Sequence, residues 1–135
     1  MPDTTGSCHC GAVRWTYRGD IAYGNACNCT ICRRYGVIWS YGKLDQSVFI
    51  NAPQGALSQY IWGDKSISFN FCTSCGCVVT WQAVQTEDDG SIEIAVNLRL
   101  AEPDAVANIP LRRFDGLHSW KTQPSRDEHV KDLLN

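Results

Sequence analysis

Eight cysteines in 135 residues, seven of them in three tight motifs, constrain this chain more than any other feature. The densest motif is Cys27-Asn28-Cys29-Thr30-Ile31-Cys32, a C-x-C-x-x-C spacing. In an extended segment alternate side chains share a face, so Cys27 and Cys29 point one way and Asn28 the other. A turn then returns Cys32. Cys8-His9-Cys10 is a second C-x-C, and Cys72-Thr73-Ser74-Cys75 is a C-x-x-C followed by Gly76, whose tolerance of positive φ suits a tight knuckle. Neighbouring thiols in C-x-C are poorly placed to bridge one another, so the pattern points to metal rather than disulfides.

Converging thiolates suit a soft tetrahedral ion, and zinc is the usual occupant. Cys8, Cys10, Cys72 and Cys75 form a complete set of four, the closed shell of a structural zinc that ties the N-terminus to the middle of the chain. Cys27, Cys29 and Cys32 supply only three ligands, which leaves a position for water or a substrate. The expectation is two zinc ions per chain, one structural and one open. Cys77 shares a face with Cys75 in an extended segment; it reads as a buried apolar thiol, with alternative ligation left open. A redox dithiol at Cys72 and Cys75 should open a helix, whereas Gly76-Cys77-Val78-Val79 opens a strand.

Three segments together carry a family resemblance: Gly6-Ser7-Cys8-His9-Cys10-Gly11-Ala12-Val13-Arg14, the triple-cysteine loop running into Arg33-Arg34, and Phe71-Cys72-Thr73-Ser74-Cys75-Gly76. They resemble the glutathione-dependent formaldehyde-activating enzyme family, which includes relatives of centromere protein V. The resemblance implies a mainly β zinc fold whose central cysteines hold a catalytic zinc. It also implies a carbon-sulfur lyase reaction in which a small thiol such as glutathione adds to formaldehyde as an S-hydroxymethyl adduct. The competing reading is a non-catalytic module in which zinc only braces the fold.

A thiol on a site of three thiolates makes a doubly negative centre, so local positive charge is needed. Arg33 and Arg34 follow Cys32 directly and either offset that charge, or bind a substrate carboxylate, or are solvated surface residues. His9 reads as a surface residue, and His118 and His129 are isolated in the tail. The net charge of −2 and pI of 5.8 argue against nucleic acid or an anionic membrane as partner. No apolar run is long enough to cross a bilayer. No positively charged apolar leader precedes Cys8, so the expected location is cytoplasmic. The oligomeric state has no signature in the sequence.

The length fits a single domain over residues 1–135. Alternation at Val13, Trp15 and Tyr17, at Ile67, Phe69 and Phe71, and at Ile92, Ile94, Val96 and Leu98 predicts short strands in an antiparallel, mainly β fold. Further strands are predicted at 37–41, 47–51, 57–62 and 77–81, with an extended approach over 21–26 and a helical turn over 30–34. Trp15, Trp39 and Trp81 are core candidates, while Trp62 and Trp120 sit near turns. Residues 1–7 read as a loose lead-in. The tail is expected to be irregular between Pro103 and Pro110, with a helical turn at 104–108. A capping box at Ser125-Arg126-Asp127-Glu128 then predicts a short C-terminal helix with Val130, Leu133 and Leu134 on one face.

Overall fold

The alternating segments become strands of two sheets in the computed structural model, which describes residues 3–134. In chain order the strands are β1 (Thr4–Ser7), β2 (Arg14–Tyr17), β3 (Gly24–Cys27), β4 (Trp39–Lys43), β5 (Val48–Asn51) and β6 (Leu57–Ile61), with the one-turn helix α1 (Cys32–Tyr35) between β3 and β4. β7 (Ile67–Cys72), β8 (Val78–Ala83) and β9 (Glu93–Asn97) follow, then α2 (Pro103–Val106), β10 (Leu111–Asp115) and β11 (Lys121–Thr122). One sheet has the order β1-β2-β5 and the other β11-β10-β3-β4-β9-β8-β7-β6. The fold is mainly β and mostly antiparallel, as the alternation predicts. No helix among the described residues is long and apolar enough to cross a membrane.

Trp15 and Trp39 are fully buried, and Trp81 is half-buried. A second apolar cluster of Val37, Trp39, Phe69 and Ala95 packs around Cys32 and supports the triple-cysteine loop from below. The register shifts between Asn70 and Phe71 as β7 pairs with β8. Such a bulge turns the end of a strand, and here that end delivers Cys72.

Three tail and lead-in expectations change. The lead-in is a strand: Thr4 to Ser7 pair with Tyr17 to Arg14, and Gly6 lies so close to the Trp15 indole that no side chain would fit there. Leu111–Asp115 is a strand that the sequence reading missed. It runs parallel to β3 with Leu111 beside Gly24 and Phe114 beside Cys27. The C-terminal helix is one 3₁₀ turn, Val130–Leu133, capped by His129 and Asp132 rather than by Ser125. Ser125 Oγ instead accepts the Asp127 N–H at 3.2 Å, where Asp127 adopts φ 53° and turns the chain. Val130 is buried and Leu133 and Leu134 pack against the core, so the docking face itself is as expected.

Candidate functional site

Four sulfurs gather at one place and three at another: the ligand atoms of Cys8, Cys10, Cys72 and Cys75 lie within 4.8 Å of one another, as do those of Cys27, Cys29 and Cys32. Tetrahedral thiolates at a zinc–sulfur length of about 2.3 Å stand roughly 3.8 Å apart. The Cys8–Cys10 and Cys10–Cys72 separations are 3.7 and 3.6 Å. The donor set and its spacing therefore fit a tetrahedral thiolate metal.

The four-cysteine group is assembled by a turn at the N-terminus and by the β7–β8 knuckle. The Cys72 N–H donates to the Cys77 carbonyl at 3.0 Å, and Gly76, at φ 80°, donates back to the Cys72 carbonyl at 2.9 Å. Main-chain N–H groups support the sulfurs, Val13 donating to Cys8 at 3.3 Å and Ser74 to Cys72 at 3.4 Å. The N–H groups of Cys77 and Cys10 draw Cys75 down to about 5. Cys77 belongs to neither group and is half-buried beside Cys75, less enclosed than a buried packing thiol.

The three-cysteine group sits where β3 ends and α1 begins. Cys29 donates its N–H to Cys27 Sγ and Cys32 donates to Cys29 Sγ, each at 3.4 Å, and Trp39 Nε1–H reaches Cys32 Sγ at 3.3 Å. The Cys32 thiol hydrogen-bonds Cys27 and, with the N–H groups of Cys29 and Gly116, brings Cys27 down to about 6. That same bond, together with burial, pushes Cys32 up. A bound cation would favour the thiolate form of all three.

These three cysteines line a cavity of about 940 Å³. Tyr23, just ahead of β3, and Asn25 and Cys27 within it alternate onto its wall, and Arg112, Phe114 and Gly116 join them from β10 and the loop that follows. Trp39, Phe69 and Trp81 line the cavity as well, and Trp62 and Trp120 do so from exposed turns. Half-buried on the same wall, Tyr41 accepts a hydrogen bond from Asn25 Nδ2, and desolvation pushes its hydroxyl up to about 12. Asn25 Oδ1 is buried without a partner.

Asn28, facing away from the sulfurs, ties the cysteine loop to the β10–β11 loop. Its Nδ2 donates to Asp115 Oδ1 at 3.1 Å and its Oδ1 accepts the Leu117 N–H at 3.0 Å. Asp115 also accepts from the N–H groups of His118 and Ser119 and from the Ser119 hydroxyl. Those donors, Ser119 first, hold its carboxyl well below the usual range.

Arg33 and Arg34 are exposed on α1 and are not among the residues that line the cavity. Arg34 folds back on Thr30, reaching its carbonyl at 2.8 Å and its hydroxyl at 2.7 Å. The cation on the cavity wall is Arg112, which sequence proximity to the cysteines gives no reason to choose. His9 and His118 are exposed, and His118 does not line the cavity.

Fold and site together define a mainly β protein with two cysteine clusters able to bind metal ions, one of them on a large cavity. The chain belongs to the glutathione-dependent formaldehyde-activating enzyme family, whose model matches residues 3–108. A crystal structure of a Rhodobacter sphaeroides protein shares the fold, with a TM-score of 0.60 at 24% identity over 79% of this chain and 98% of that one. No curated protein matches the sequence.

Proposed function

We propose that this protein is a zinc enzyme of carbon-sulfur lyase type that forms or cleaves an S-hydroxymethyl adduct of glutathione or another small thiol. One observation carries the reading: three thiols converge on the wall of a large cavity, while a separate group has a full set of four. Family membership supports the formaldehyde chemistry. In this reading Cys8, Cys10, Cys72 and Cys75 hold a structural zinc, and Cys27, Cys29 and Cys32 hold the second. Zinc bound at the second site would supply an open Lewis-acid position that favours the thiolate, and so nucleophilic, form of a bound thiol.

The chain's own groups orient the rest. Trp39 fixes Cys32 through its indole N–H, and Gly116 donates its main-chain N–H to Cys27. Tyr41 stays protonated at neutral pH and, already accepting from Asn25, keeps its own proton for the aldehyde oxygen, where negative charge develops as carbon and sulfur join. A cytoplasmic setting suits this reading, because a reducing compartment keeps thiols available to a metal.

The test is a native mass spectrum of the purified protein with and without glutathione, followed by exchange spectroscopy of labelled formaldehyde with the thiol. Two zinc ions per chain, a retained thiol and accelerated adduct exchange are the expected results. One zinc per chain with no effect on exchange would instead favour a zinc-braced binding module, for which the exposed Tyr60 and Ile61 of edge strand β6 offer a surface.

A further inference from the structure

We infer that Arg112 is the anion-binding residue of the cavity, which therefore prefers a thiol carrying one carboxylate on an apolar or aromatic body over glutathione with its two. This rests on the open thiol site proposed above. Arg112 pairs in register with Asn25, and Phe114 with Cys27. The arginine therefore arises two strand residues, about 7 Å, from the cysteine rung. Its guanidinium lies 3.7 Å over the ring of Tyr23, one step further along the same wall. Stacking covers the flat face of the guanidinium and leaves its in-plane N–H donors for a carboxylate fork. Among the described residues Arg112 makes no ion pair. Its neighbour Arg113 commits two donors to Glu128, at 2.8 and 3.0 Å.

The balance of charge then selects the ligand. Apart from Arg112, the charged side chain on the lining is Asp64, whose carboxylate accepts the Ser66 N–H. The remaining negative charge is the thiolates. A first carboxylate meets Arg112, whereas glutathione adds a zwitterionic end, its second carboxylate beside its own ammonium, which must shed water against a lining that offers no second cation. Phe114, Trp81 and Trp120 offer apolar surface to whatever lies between sulfur and carboxylate. Arg112, Phe114 and Trp120 all lie beyond residue 108, where the family match ends, so this wall is set by the chain's own tail. A ligand reaching from the cysteines to the guanidinium spans about two to four strand residues, roughly 7–13 Å. An aromatic ring between thiol and carboxylate meets the lower part of that range.

The probes are 4-(mercaptomethyl)benzoate, its neutral amide, glutathione and 2-mercaptoethanol, titrated calorimetrically into the zinc-loaded full chain and into Arg112→Gln and Arg112→Lys. The benzoate should bind about tenfold or more tightly than the amide and than glutathione, as a charge-assisted bond predicts. Arg112→Gln should bring the benzoate down to the amide with two zinc ions still bound, and Arg112→Lys should restore part of the margin. Equal affinities for benzoate and amide, or glutathione binding tightest and unaffected by Arg112→Gln, would overturn the assignment while leaving the thiol site standing. Failure of all four thiols, 2-mercaptoethanol included, would overturn the open site and this inference with it.

Discussion

Replacing Gly116 with alanine should damage the three-cysteine site while leaving the four-cysteine site whole. A methyl group at this position would stand 2.8 Å from Cys27 Sγ and 2.9 Å from Cys29 Cβ. Ordinary contact between such atoms is about 3.5–4.0 Å, so the β10–β11 loop or the cysteine loop must move by roughly 0.7 Å or more. Neither moves alone, because Asn28 clamps them through Asp115 and Leu117. Overpacking of this kind costs about 1–3 kcal/mol of stability. A displacement approaching 1 Å at the reacting groups lowers activity or thiol affinity by about 10- to 100-fold. The Gly116 N–H would also draw away from Cys27, so its thiol should titrate at higher pH than in the parent. Zinc counting by native mass spectrometry, thiol titration by calorimetry and a denaturant midpoint separate the three effects. Parental thiol affinity in Gly116→Ala would refute the packing of the loop on the cysteines, and with it the role of the tail as a wall of the site.

Three other perturbations divide the molecule by role. Cys8→Ser or Cys75→Ser should lower the folded fraction seen by circular dichroism, because structural zinc binding is folding free energy; Cys29→Ser should keep the β spectrum and lose one zinc and thiol binding. Gly6→Ala would drive a methyl into the Trp15 indole, which is fully buried and has no room to retreat, at a cost of about 1–3 kcal/mol read as a lower denaturation midpoint. Asp115→Asn should weaken thiol binding evenly from pH 5 to 8 in a calorimetric series. The Asp115 carboxyl is depressed in the folded protein, so its contribution is complete above the ordinary value of about 3.9 and is lost only as pH falls through the lower folded value.

The cysteine groups were legible because their information is local. C-x-C and C-x-x-C spacings fix which sulfurs share a face, and the strand alternation at Ile67, Phe69 and Phe71 already delivers Cys72 from a strand end. β10 was not legible for the opposite reason. Leu111-Arg112-Arg113-Phe114-Asp115 places Leu111 and two charged residues on one face, Arg112 and Phe114 on the other, and so shows no alternation of polarity. Its strand identity comes from pairing with β3, more than 80 residues earlier in the chain. The capping box at Ser125 failed because Asp127 takes a left-handed conformation there, and the real cap forms four residues later at His129.

The two arginine choices show what this difference means for function. Arg33 and Arg34 are next to Cys32 in sequence, yet a one-turn helix points them outward, with Arg34 closing on Thr30. Arg112 is 80 positions from Cys32, yet parallel pairing puts it on the wall that Cys27 shares. Sequence motifs for metal ligands work because all ligands must meet at one ion within a few ångströms. A substrate's far end imposes no such local spacing, so the residues that receive it can come from any strand the sheet brings alongside. In this chain that strand lies past residue 108, outside the family match. The cysteine clusters can therefore be common property of the family while the charge and shape proposed to choose the thiol vary with the tail, and swapping residues 109–122 between relatives should move thiol preference without moving zinc content.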